Sequence, residues 1–449
     1  MALTEVSPLK GTVENPQAQV TSWHVILIVA CITFLALGAL ESMGYLYIEY
    51  VNEFDADRRA AEWPNSVMTA LGGSVALLLP LLHKRFSIIF VMVAGSILAV
   101  SGLIASGFTR DIGMLVFTMG VLHGLGAGTV NASASVLTAM HFEKLRGFAL
   151  GCVAIGNTLS GLVFPRLLKL LTETYGFRYS FVIWGALEMN LVPISCLLKV
   201  PPAYRSQSGK TLSPSPTSST PLAGGEGPHN EIAQESYGRA EEPGYKHFLS
   251  NIIILAQNPV FYVLIATACL SSMVQLTLFT SMIDFAVDQG SSISDASWLT
   301  PCYLFSCSLA HIGLPLLADK GYQPRGVVLT ECLFTSGGAL LLLPHATSFW
   351  IILLLIVLQA AGYAGGETLQ EVLTIDSFGM NRLFVMKGIL GTAKIPFLLC
   401  APALIGIFRD VQGSYENLYH LGGGLLMFPA LLWLMVSCKR KHKHNFVLH

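Results

Sequence analysis

Twelve stretches of this chain are apolar for about the length that a helix needs to cross a lipid bilayer, and very few folds accept that pattern. A helix rising about 1.5 Å per residue needs roughly 20 apolar residues to traverse ~30 Å of hydrocarbon. Runs of that kind fall near 24–48, 64–82, 86–107, 112–139, 147–170 and 179–199, then near 258–285, 297–318, 326–345, 348–375, 384–408 and 416–437. Lipid offers backbone N–H and C=O groups no partner, so each run must bond within itself as a helix. The predicted class is an all-α membrane protein, with twelve transmembrane helices in two six-helix lobes. Charged residues are only 12% of the chain, about half the share usual in a soluble domain. A net charge of -1 leaves no basic domain to hold phosphates, which excludes a nucleic-acid partner.

Between the two sets of six lies a segment reading SPSPTSSTPLAGGEGP followed by acidic residues. It has too little apolar surface to offset the entropy of ordering, so a disordered linker is expected there. The resulting division is 1–22 as N-terminus, 23–200 as the first lobe, 201–250 as linker, 251–438 as the second lobe and 439–449 as a basic tail. Lys84 and Arg85, Lys144 and Arg146, Lys320 and Arg325, Arg382 and the tail Lys439-Arg440-Lys441 all fall on one side of the spans. The positive-inside rule puts that side, the linker and both termini in the cytosol. A plasma-membrane location is expected. No basic n-region or cleavage site precedes Trp23, so the first apolar run should be retained. Nine cysteines are present without a CxxC pair, and they read as reduced packing residues.

Two glycine-punctuated spans meet in the tract from Gly120 to Gly161. Gly120, Gly124 and Gly128, then Gly147 and Gly151, recur every four residues. That spacing sets them on one face, where helix backbones can approach closely in lipid. The halves also repeat. Gly151, Pro165 and Gly176 are matched by Gly388, Pro402 and Gly413, each pair offset by 237 residues. A parallel duplication joined by a cytosolic linker is the plan of a two-lobed carrier that rocks about a midplane site.

Ionisable groups inside spans are costly and mark function by default. Glu41 lies in the first span, His123 in the fourth, His311 in the eighth, Glu367 and Glu371 one turn apart in the tenth, and Lys394 in the eleventh. Glu41, Asn157, His311, Glu367 and Lys394 are predicted to face a central cavity and meet a solute and a proton. Asn157 belongs to that set because the 237-residue offset places it on Lys394. His123, set among glycines, reads as a packed neutral histidine, while Glu371 and Lys387 lie close enough to the cytosolic side to be either interfacial or functional. Lys144, Arg146, Asp319 and Lys320, in the short charged loops, are candidate gating residues able to bond a neighbouring helix end in one state and release it in another. No GxSxG, HExxH or Walker A sequence occurs, so neither an enzyme nor an ATP-driven pump is expected, and no cofactor or metal is called for.

Three tracts then resemble the monocarboxylate transporter family of the major facilitator superfamily. His141-Phe142-Glu143-Lys144-Leu145-Arg146-Gly147-Phe148-Ala149-Leu150-Gly151 is similar to the family's aromatic-Phe-x-Lys-Arg-Arg-x-x-Ala-x-Gly loop, with leucine for the middle basic residue. Gly176-Phe177-Arg178-Tyr179-Ser180-Phe181 resembles its Gly-Trp-Arg-x-Ser-Phe entry to the sixth span. Ala401-Pro402 through Asp410-Val411-Gln412-Gly413-Ser414-Tyr415 resembles the close of the eleventh. The resemblance implies alternating-access transport of a small carboxylate, with a proton and a single-span accessory membrane protein as partners besides the bilayer. Several positions depart from it. The opening Asp-Gly-Gly-Trp-Gly-Trp is reduced to Ser22-Trp23-His24, the first-span lysine of lactate carriers is Glu41, and the eighth-span aspartate and arginine are Cys307 and His311. The cationic anchor has thinned to Lys394, so a lone carboxylate would meet repulsion from Glu41 and Glu367. The expectation is therefore a secondary active or facilitative carrier of a small organic solute, a monocarboxylate first. An amino-acid-like or zwitterionic solute is the alternative, and a non-transporting receptor or scaffold the other.

Overall fold

The computed structural model describes residues 23–446 apart from 57, 84, 143–144 and 202–251. The N-terminal 1–22, Lys144 and the linker predicted over 201–250, apart from Pro201, lie outside the described residues. Every regular element described is a helix. Among the described residues, nine helices are long and apolar enough to cross a membrane, and one of these, Arg146–Cys196, is a pair. Gly176, with φ 77° and ψ 167°, breaks it into the fifth and sixth spans. Gly413 turns the chain the same way, at φ 75°, between the eleventh and twelfth. These are the duplicated positions, and a positive φ is costly for any residue with a Cβ.

The first and second spans are less regular than the rest. Where the sequence predicts one helix over 24–48, the chain forms Trp23–Ala36, Gly38–Glu41 and Met43–Phe54. The breaks at Leu37 and Ser42 bracket Glu41, and backbone freed at membrane depth is tolerated only against protein or a cavity. The second span runs from Arg58 through Pro64 to His83, its outer turns polar. The remaining spans are Ile88–Ser106; Ile112–His141; Pro259–Asp288; Leu299–Asp319; Arg325–Leu342; Phe349–Phe378; Leu383–Gly406; and Glu416–Phe446. The last continues helically well past 438, so the predicted boundary between lobe and tail falls inside a helix.

Each set of six surrounds its own core. Trp184, Phe181 and Phe164 fill the first, and Trp433, Tyr303 and Phe285 the second. Large apolar side chains such as Phe90, Phe117 and Trp350 face outward, as a lipid-facing surface requires. The fourth-span glycines do share a face, and it packs on the second span: a Cβ at Gly120 would lie 3.0 Å from Val67 and one at Gly124 2.9 Å from Met68. Gly147 and Gly151 face the eighth span instead. The two halves of that glycine-rich tract thus pack on different neighbours.

The lobes meet at two crossings related by the duplication. On the fifth span, a Cβ at Gly151 would collide with the carbonyl oxygen of His311 on the eighth. On the eleventh, a Cβ at the matching Gly388 would lie 2.5 Å from the Leu77 nitrogen of the second span, and Gly391 abuts the Gly73 backbone. Val372, Ile375, Leu383 and Phe384 of the second lobe join the core of the first. All these contacts lie toward the basic-loop end of the spans, which is therefore the end where the lobes are closed. Overpacking of a tight crossing costs about 1–3 kcal/mol, so Gly151→Ala should lower the unfolding midpoint of the detergent-solubilised protein. An unchanged midpoint would mean that the crossing is looser than described.

Candidate solute site

Between the lobes is a cavity of about 290 Å³. The first lobe lines it with neutral polar groups, Thr33, Asn131 and Asn157 among them. All its charged or titratable lining side chains come from the second lobe: His311, Glu367, Glu371, Lys387 and Lys394. Asn131, in the sequence Asn131-Ala132-Ser133, which has the form of a glycosylation acceptor, faces this interior. A smaller recess of about 20 Å³ opens beside it within the second lobe, lined by Ser271, Ser272, Tyr363 and Gln370, and sharing Glu367 and Lys394.

Four of the five predicted cavity residues, Asn157, His311, Glu367 and Lys394, line the cavity. Glu41 stands behind that surface. Its carboxylate interacts with the Asn157 amide and is close enough to Glu367 to feel its charge. A Cβ on Gly161 would lie 2.9 Å from Glu41 Oε2, so this glycine makes the room the carboxylate occupies. The Glu41–Asn157 pair therefore presents an amide to the cavity, with a carboxylate behind it.

Of the charges, Glu371 and Lys387 neutralise each other, with Nζ 2.8 Å from Oε1. Both side chains line the cavity. His311 is 5% exposed, and its Nδ1 lies 2.8 Å from Thr368 Oγ1, which fixes the ring. Neither Glu367 nor Lys394 makes an ion pair with another described residue. Helix spacing leaves this carboxylate and this ammonium facing the same cavity, each open to a partner that no described residue supplies. Among the described residues, no group of three or more His, Cys, Asp or Glu could hold a metal ion.

The closed end carries an ionic network. Asp319, with a fully buried side chain, accepts the Phe148 N–H through Oδ2 at 2.9 Å and Arg325 Nη2 through Oδ1 at 2.7 Å. Phe148 is the third residue of the fifth-span helix, so a carboxylate from the second lobe caps a helix N-terminus in the first. Arg325 also donates to Asp376 Oδ2 at 2.6 Å, and Arg146 Nη1 stands 3.8 Å from Asp376 Oδ1. Arg146 and Asp319, two of the predicted gating residues, thus join one cluster. Lys320 is exposed at the end of the eighth span and takes no part in it. Sequence reasoning missed Asp376 altogether, and it placed Arg325 in the charged loop after the eighth span without giving it a partner. The available signal was an aspartate near the basic end of the tenth span.

Two six-helix lobes, a polar midplane cavity and a duplicated glycine crossing define a membrane solute carrier that works by alternating access. The chain belongs to the Major Facilitator Superfamily, whose pattern matches residues 26–320. Its curated relatives are monocarboxylate transporters. It is 21% identical to monocarboxylate transporter 9 of Pongo abelii, with 92% of each chain covered. It is 23% identical to monocarboxylate transporter 12-B of Danio rerio, over 97% of this chain and 92% of that one. Among solved structures, the proton:xylose symporter XylE has the same fold at a TM-score of 0.68 and 13% identity, covering 93% and 96%.

Asp319→Asn removes the charge that caps the fifth span and holds Arg325. Hydrogen bonds to charged groups are worth about 1.5–3 kcal/mol, and losing them should favour opening of the basic-loop face. In a background without native cysteines, Ser135→Cys should react faster with a maleimide added on that face when combined with Asp319→Asn. Equal rates would remove the network from gating.

Proposed function

We propose that this chain carries a small organic solute bearing a carboxylate across the plasma membrane. The observation that supports this most directly is Lys394, an ammonium on the cavity wall without a counter-ion among the described residues. The carboxylate of the solute would sit on Lys394, and its remaining polar atoms would reach the Asn157 and Gln370 amides and the hydroxyls of the side recess. The names of the relatives agree with a carboxylate cargo. His311, a side chain able to titrate near neutral pH, and Glu367 are the residues proposed to pass a coupled proton. In the orientation given by the positive-inside rule, the closed face is cytosolic and the cavity opens outward. A single-span accessory protein is proposed only from the family resemblance.

A second reading, a zwitterionic solute, is favoured by Glu367. With Glu371 and Lys387 paired, the free charges at the cavity are one ammonium and one carboxylate, with Glu41 adding a second carboxylate behind Asn157. A solute with a carboxylate alone leaves Glu367 unmatched, whereas one with an ammonium in addition matches both.

Lactate and alanine separate the readings, because they differ chiefly in a hydroxyl against an ammonium group. Lys394→Ala should abolish uptake of whichever is carried into proteoliposomes, at unchanged protein incorporation. Uptake with wild-type kinetics would reject Lys394 as the anchor. Glu367→Gln should cost alanine uptake at least about tenfold, the value of one lost charged contact, and spare or raise lactate uptake. Equal losses for both solutes would place Glu367 outside solute recognition.

A further inference from the structure

Deep in the first lobe, away from the solute cavity, a carboxyl and an imidazole are sealed in together. Glu188 on the sixth span and His123 on the fourth are each 1% exposed. Glu188 Oε2 lies 3.9 Å from His123 Nδ1, and that nitrogen is 3.1 Å from the Ala99 carbonyl oxygen on the third span. Both carboxyl oxygens of Glu188 and Nε2 of His123 are buried without a hydrogen-bond partner. Neither residue lines the cavity.

The surroundings hold this pair in place, and among the described residues no other titratable side chain interacts with it. A Cβ on Gly102 would lie 2.5 Å from the His123 backbone nitrogen, so the third span presses directly on the histidine. His123 also closes a π-helical stretch, Val116–His123, a geometry that recurs at functional positions. The third span carries no charged residue. The only other titratable side chain on the fourth is His141, at its far end. Arg178 lies at the start of the sixth span, 3.8 Å from Glu53. The second span, behind the fourth, keeps Arg58, Arg59, Glu62 and His83 near its two ends.

His123 Nδ1–H donates to the Ala99 carbonyl, which leaves Nε2 and the carboxyl as the two places where a further proton can sit. We propose that Glu188 and His123 form a proton-binding site separate from the solute cavity, sharing one exchangeable proton that sits on the carboxyl or on the imidazole. With one proton the pair is neutral overall, as a carboxylic acid beside imidazole or as a carboxylate beside imidazolium. Releasing it to solvent leaves the carboxylate, and a second proton leaves the imidazolium. Either change puts one uncompensated charge into a dry interior, where it is strongly disfavoured unless helices shift to pair or solvate it. Proton exchange is thereby tied to movement of the third, fourth and sixth spans. The site needs no solute, so it stands or falls independently of the solute reading.

Infrared difference spectra of the full-length protein in lipid vesicles, taken between acidic and alkaline buffer, read carboxylic C=O groups directly. The wild type should show a band that loses intensity as pH rises and shifts in deuterium oxide. Glu188→Gln should lack that band, and Glu41→Gln should keep it. Glu188→Asp, which retains the acid, should keep a titrating band at a moved frequency, which covers the case of a glutamine variant that fails to fold. His123→Gln should move the midpoint of the band by about one pH unit or more. A wild type without such a band, or one whose band persists unmoved in both Glu188 variants, would overturn the proposal and leave Glu188 a fixed structural group.

Discussion

An ionised side chain inside a bilayer costs several kcal/mol unless it is paired or reaches water, and this chain places its charges accordingly. Glu371 and Lys387 cancel each other. Asp319, Arg325, Asp376 and Arg146 form a cluster where the lobes close. Of the charges at the cavity surface, Glu367 and Lys394 are left, and both face the space between the lobes. In the function proposed here the same constraint makes the cavity selective, because a solute of complementary charge would satisfy both groups and an imperfect one would leave one of them exposed to a poor solvent.

Closing the cavity depends on how near two helices can come. Lipid gives no hydrophobic push between helices, so contact rests on small residues and backbone approach. Gly151 against His311 on one side, and Gly388 and Gly391 against Leu77 and Gly73 on the other, provide two such contacts related by duplication. His311 belongs to both devices. Its carbonyl meets Gly151 at the crossing, while its ring lines the cavity on a hydrogen bond from Thr368 or to it. Solute recognition and lobe closure therefore share one residue of the eighth span, which gives occupancy a direct mechanical route to conformation.

Much of this was legible in the sequence, because lipid punishes deviation from a few patterns. Twelve apolar runs gave the helices, and a shared 237-residue offset matched Gly176 with Gly413, both of which turn the chain at positive φ. Isolated charges in apolar runs located Glu367, Lys394 and His311. The rest depended on packing angles that no spacing encodes. Glu41 falls behind Asn157 because the first span breaks on either side of it. Glu188 is sealed against His123 inside the first lobe, and nothing in the sequence around it distinguishes it from a cavity carboxylate. Arg325 and Asp376 meet across two spans that only the folded lobe brings together.

Counterflow tests alternating access most directly. Vesicles containing the protein are loaded with unlabelled alanine or lactate and placed in a trace of the same labelled solute, with no ion gradient. A carrier that reorients with its cargo should take up label faster than from empty vesicles and overshoot equilibrium before decaying to it. Label that enters at the same rate whether or not the vesicles are loaded, with no overshoot for a solute the protein demonstrably passes, would mean a continuous pore and contradict a cavity that opens to one side at a time.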